Sequence, residues 1–140
     1  MEWAKAALDE IDELRRHWVV RHGWSPSVHK TDDAIELFVR ITSRRLANRI
    51  YVIKLAYGPE WREAGRREDF VDPDDYAKAG RDHWPVHGTV RAVLTNNNPG
   101  PAICLKGTFG YHSMLHTTER PAGTSLGRLL LELQGVFDET

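Results

Sequence analysis

Mostly apolar residues recur at helical spacing from the start of the chain. Trp3, Ala7, Leu8, Ile11, Leu14, Arg15 and Trp18 predict an amphipathic helix, and Gly23 and Pro26 end the pattern. The period then changes. Ile35, Leu37, Val39 and Ile41 alternate with Glu36, Phe38, Arg40 and Thr42, the rhythm of a strand with one face buried. Residues Ile50 to Tyr57 are rich in β-branched and aromatic side chains and predict a second strand, closed by Gly58-Pro59. From Glu60 to His83 the chain turns polar and charged and is too long for a hairpin turn, so it is expected as an excursion outside the sheet. Within it, Asp72-Pro73-Asp74-Asp75 predicts a short helix from about Pro73, stopping near Gly80. Arg66-Arg67-Glu68-Asp69 reads as a solvated surface, and Trp61 as the tryptophan most available to a partner.

Thr89 to Leu94 predicts a third strand. Asn96 to Pro101, Asn-Asn-Asn-Pro-Gly-Pro, is a loop, and Ile103-Cys104-Leu105 follows it at once. Gly107 and Gly110 keep the next segment irregular. Thr124 opens a last helix with Leu126, Leu129, Leu130, Leu133 and Phe137 on its apolar stripe. The order implies a single α+β domain over residues 1–140: an N-terminal helix, an antiparallel meander of at least three strands, and a C-terminal helix after an irregular loop. Ile35, Leu37, Val39, Ile41, Val52, Ile53, Leu55, Val90, Ala92 and Leu130 are expected to supply much of the core.

The charge balance narrows the partners. The 140 residues carry 19 basic and 20 acidic side chains, a formal charge of −1, which gives no footprint for nucleic acid or an anionic membrane. No apolar run is long enough to span a bilayer, and the charged N-terminus lacks the apolar stretch of a secretion signal. The single cysteine has no internal disulfide partner, so a reducing, cytoplasmic setting is expected.

That cysteine is also the first candidate for chemistry. A lone cysteine is often a small buried hydrophobe. Cys104, however, stands beside a loop of asparagine, proline and glycine, outside any periodic pattern, and reactive groups concentrate on loops held by a rigid scaffold. Histidine and asparagine lie near it in sequence, the residue types that accompany a nucleophilic thiol.

Trp84-Pro85-Val86, then Thr89 to Asn96, then Ile103-Cys104-Leu105 together resemble the central block of ubiquitin-conjugating enzymes. That family runs from an aromatic-proline step through a strand into a histidine-proline-asparagine loop, and reaches its catalytic cysteine in an isoleucine- or valine-cysteine-leucine step. Asn96 has the spacing of the family's asparagine. Leu94-Thr95 stands where the family has histidine-proline, and Tyr111 or His112 lies near the place of its usual tryptophan. The layout resembles that of a minimal, divergent member, similar to bacterial conjugating enzymes of antiviral defence operons.

The resemblance implies a ubiquitin-conjugating-like fold and an acyltransferase activity. Cys104 is its nucleophile, and Asn96 donates a hydrogen bond to the oxyanion. His112 is a candidate base for the thiol or the incoming amine. It also implies an activating (adenylating) enzyme, a ubiquitin-like modifier and a target protein as partners, with no bound cofactor. Plainer readings remain beside these: Asn96 satisfying its own loop backbone, and His112 as a backbone-bonded imidazole. Two alternatives to the enzyme stand as well. One is a non-catalytic interaction module with an inert Cys104. The other is a zinc-dependent hydrolase built from the i,i+4 pairs His83/His87 and His112/His116 with Cys104, although Pro85 breaks any helix through the first pair.

Overall fold

The computed structural model describes residues 1–45, 49–77, 94–95, 102–115, 117–118 and 125–138. Helix α1 (Glu2–His17) is followed by one further turn, α2 (Val19–His22), ended by Gly23 in the left-handed region at φ 71°. Gly23 has no Cβ to clash there, which is why the chain can turn at that point. Strands β1 (Ser25–Lys30), β2 (Ile35–Thr42), β3 (Ile50–Tyr57) and β4 (Arg67–Val71) form one four-stranded antiparallel sheet in the order β1-β2-β3-β4, with the helical turn α3 (Trp61–Ala64) before β4. Two short strands, β5 (Leu94–Thr95) and β6 (Ala102–Ile103), pair antiparallel with each other. A π-helical turn (Gly110–Leu115) follows, and α4 (Leu126–Asp138) closes the described chain. Among the described residues, no helix is long and apolar enough to cross a membrane.

The alternation in β2 puts Ile35, Leu37, Val39 and Ile41 into the core, and β3 adds Ile53 and Leu55 beside them. Ala7, Ile11 and Leu14 of α1 and Leu126, Leu129, Leu130, Leu133 and Phe137 of α4 cover that face. Each of the larger of these side chains, withdrawn from water, contributes about 1.5–3 kcal/mol, so the two helices are fixed to the sheet mainly by this layer. Ser125 caps α4: its Oγ accepts the Arg128 N–H at 3.0 Å, satisfying one of the N–H groups that the first helical turn leaves without a partner. Trp24 Nε1 donates to Gln134 Oε1 at 2.9 Å, which orders the one buried polar side chain on the inner stripe of α4.

Every expected core residue that lies among the described residues is buried; Val90 and Ala92 lie outside them. Two expectations fail here, and a third, the solvated surface at 66–69, fails at the site described below. The stretch after Glu60 is not an excursion outside the sheet: β4 is its edge strand, pairing Val52 with Val71 through Ala56 with Arg67, and Phe70 is fully buried. The Asp72 run forms turns rather than a helix. Asp72 Oδ1 accepts the Asp74 N–H and Asp75 Oδ1 the Ala77 N–H, both at 2.8 Å, so the carboxylates bond their own local backbone and compete with helix. Trp61 is partly buried against the core, with Nε1 donating to the Trp3 carbonyl at 3.1 Å.

Candidate active site around Cys104

The site is built on the inner face of β4. Successive strand residues point to opposite faces, so Arg66, Glu68 and Phe70 share one side. In the register, Glu68 opposes Leu55 and Phe70 opposes Ile53, both core residues, so this is the inward side. Two charged side chains thus enter the interior, contrary to the solvated surface expected for 66–69.

Arg66 is 1% exposed. Its guanidinium pairs with the Glu10 carboxylate of α1, Nε donating to Oε2 at 3.1 Å and Nη2 donating to Oε1 in a short contact. Nε also donates to the Tyr57 hydroxyl at 3.2 Å, and that hydroxyl donates to Glu10 Oε2 at 2.7 Å. Burial works against the charge of Arg66, but Tyr57 and Glu10 outweigh it and raise its basicity. Desolvation drives the Tyr57 phenol far above its ordinary value, so Tyr57 stays a neutral donor.

The fourth guanidinium bond reaches the segment that carries Cys104. Arg66 Nη1 donates to the Gly107 carbonyl at 2.9 Å, and that carbonyl also accepts the Arg66 backbone N–H at 3.1 Å. Phe109 N–H donates back to the Arg66 carbonyl at 2.6 Å, and Arg66 and Thr108 form an isolated parallel bridge. The approach is close enough to demand glycine at position 65. Gly65 has φ 89°, and a Cβ there would lie 2.6 Å from the Thr108 carbonyl oxygen.

Glu68 holds the same segment by its amides. Oε2 accepts the Ile103 N–H at 3.0 Å and Oε1 the Gly110 N–H at 2.9 Å. Desolvation raises the Glu68 carboxyl above its ordinary value, against the pull of these bonds and of Thr108. Thr108 Oγ1 lies 2.9 Å from the Ile103 carbonyl and 3.1 Å from the Leu105 carbonyl, and accepts the Tyr111 N–H at 3.2 Å. His112, 4% exposed in the π-helical turn, accepts the Gly107 N–H on Nε2 at 2.9 Å. Ser113 Oγ donates to the Ala64 carbonyl at 2.9 Å, tying this turn to the end of α3.

Cys104 directly follows β6 on this braced segment and is partly exposed. The two candidate site residues that the structure describes, Cys104 and His112, therefore belong to one hydrogen-bonded loop. The imidazole nitrogen bonded to Gly107 has its lone pair engaged, so His112 takes a proton there only by releasing that amide. Asn96 lies outside the described residues, as do His83, His87 and His116. Among the described residues no group of three or more histidine, cysteine, aspartate or glutamate side chains is placed to hold a metal.

Glu68, Arg66 and Glu10 are the members that the sequence did not reveal. Compared with known families, the chain matches no family model, and no curated protein matches it significantly.

Proposed function

We propose that this protein carries an acyl group as a thioester on Cys104 and passes it to an amine, as a conjugating enzyme for a ubiquitin-like modifier on a ubiquitin-conjugating-like fold. The observation that carries the reading is the setting of Cys104: a partly exposed thiol directly after a short strand, on a loop braced from within, following a helix and a four-stranded antiparallel meander and preceding a helix. A carrier thiol has to meet large partners, so a partly exposed position on a fixed loop suits it better than a deep pocket.

The chemistry is two acyl transfers. The Cys104 thiolate attacks the thioester carbonyl of a modifier held on its activating enzyme. A new C–Sγ bond forms, the enzyme's own C–S bond breaks, and the departing thiolate takes a proton. An amine of the target protein then attacks the same carbonyl, the C–Sγ bond breaks, and Cys104 leaves as thiolate while the nitrogen loses its proton to a base. Each step passes through an oxyanion, for which the Asn96 amide is the proposed donor; losing such a donor costs about a hundredfold or more in rate. His112 is the proposed base if its bond to Gly107 opens. By analogy of layout with bacterial conjugating enzymes, an antiviral defence pathway is the proposed setting.

A peptide thioester ending in Gly-Gly tests the reading without the natural partners. Folded protein is expected to take up the peptide on Cys104 faster than the urea-unfolded chain does, to lose it to thiol reductant, and to discharge it to added lysine. Uptake no faster than by the unfolded chain favours the inert interaction module.

A further inference from the structure

We propose that Glu68 is a positioning residue for Cys104: its carboxylate spans the two limbs of the cysteine loop and, together with Thr108, fixes Ile103, the residue that leads into the thiol. The assignment rests on the carrier reading for its purpose, but the geometry stands by itself. Each oxygen has a separate task, Oε2 on Ile103 N–H and Oε1 on Gly110 N–H, and these amides flank Cys104 on either side. The Ile103 carbonyl, which belongs to the peptide bond leading into Cys104, is held by Thr108 Oγ1 at 2.9 Å. Both polar groups of Ile103 are thus committed, one to Glu68 and one to Thr108. Arg66 secures the far bend through Gly107. The thiol is set by a strand of the sheet rather than by the loop's own preferences.

The choice of residue supports a role beyond folding. Two backbone amides need only neutral acceptors, which a serine or a water supplies without desolvating a charge. Here the carboxyl is raised above its ordinary value by burial, so the ionised form is held in the fold at a cost in stability. Such costs are retained where a site must be held in one geometry, because a displacement of about 1 Å at a reacting atom costs on the order of a hundredfold in rate.

The titratable groups on the described elements around Glu68 are Arg67 and Asp69 on its own strand with Arg66 just before it, Tyr51, Lys54 and Tyr57 on β3, and Cys104, Lys106, Tyr111 and His112 in the loop. Of these, Tyr57 and Arg66 are tied to Glu10, and Nε2 of His112 to Gly107.

Three readouts test the assignment. In wild-type protein, the Ile103 and Gly110 amide protons are expected to titrate by NMR with one common midpoint, that of the Glu68 carboxyl. In Glu68→Gln, one acceptor becomes an N–H facing a backbone N–H. The Ile103 and Gly110 amide resonances are then expected to lose that common titration. Uptake of the Gly-Gly peptide thioester is expected to slow about tenfold or more. Gly127→Ala, a destabilising change away from the loop, is expected to leave the amide titrations and the uptake as in wild type. Different midpoints for the two amides, the same titration persisting in Glu68→Gln, or uptake by Glu68→Gln as fast as wild type, overturns the assignment. If wild-type protein forms no thioester at all, the carrier reading fails, while the amide titrations in wild type and Glu68→Gln still decide whether Glu68 holds the two limbs of the loop.

Discussion

Replacing Arg66 by methionine removes the cation on which α1, β3 and the cysteine loop converge. The side chain of Arg66 is 2% exposed and that of Glu10 is 16% exposed, so the pair is largely out of water. Removing one member of a buried pair costs about 3–5 kcal/mol, because the other charge is left without its partner. Two features of the structure set the expected value near the low end. Glu10 keeps the Tyr57 hydroxyl and regains some hydration through its exposed edge, and the Gly107 carbonyl keeps the Arg66 backbone N–H. A loss of about 3 kcal/mol is therefore expected. With a urea m-value of about 1–3 kcal/mol per molar, the unfolding midpoint falls by about 1–3 M. Glu10→Gln together with Arg66→Met is expected to cost clearly less than the sum of the single changes, since the two residues share one network. The assay is urea unfolding followed by tryptophan fluorescence, with both single variants and the double. A loss under about 1 kcal/mol for Arg66→Met, the size expected of a surface ion pair, or strict additivity, refutes the network as the tie between helix and loop.

Other consequences follow from the same geometry. A Cβ on Gly127 would lie 2.2 Å from the Trp18 ring, so Gly127→Ala is expected to cost about 1–3 kcal/mol by thermal melting despite alanine's better helix propensity. Because the Glu68 carboxyl is raised, its favourable contribution is present in full below the ordinary value of 4.5 and is lost as the pH rises through its folded value. Glu68→Gln is therefore expected to destabilise the protein more at pH 4 than at pH 7 in paired urea titrations, and an equal loss at both contradicts the desolvated carboxylate. Glu36 is lowered chiefly by its hydrogen bond from His29 and less by Lys54, so it stabilises the fold above its unfolded value and loses that contribution as the pH falls through its folded one. His29→Ala is expected to move the Glu36 carboxyl titration back toward the ordinary value by NMR.

The regular core was legible because its chemistry is periodic. The alternation of β2 and the apolar stripes of α1 and α4 placed Ile35 to Ile41, Ile11 and Leu130 without tertiary information. Strand β1, Ser-Pro-Ser-Val-His-Lys, carries no such rhythm: it is an edge strand with mostly exposed side chains, and an edge tolerates Pro26. Strand β4 was hidden for a different reason. Arg66 and Glu68 look like surface charges until their partners are known, and those partners, Glu10 and the amides of Ile103 and Gly110, lie far away in sequence. A local pattern cannot encode a long-range ion pair. Cys104 was singled out by its place after the Asn96 to Pro101 run of the sequence, and it directly follows β6. The engagement of His112 by Gly107 depends on how the π-helical turn folds back, which spacing alone does not report.

The most direct measurement of the central claim is made in the native cells. The protein is isolated at acid pH without reductant, and its intact mass is read. The account predicts a fraction heavier by the mass of one polypeptide ending in glycine, joined to Cys104, removed by thiol reductant and absent from Cys104→Ala. An adduct that survives in Cys104→Ala, or a chain that carries no reductant-sensitive adduct while its pathway is active, contradicts the account.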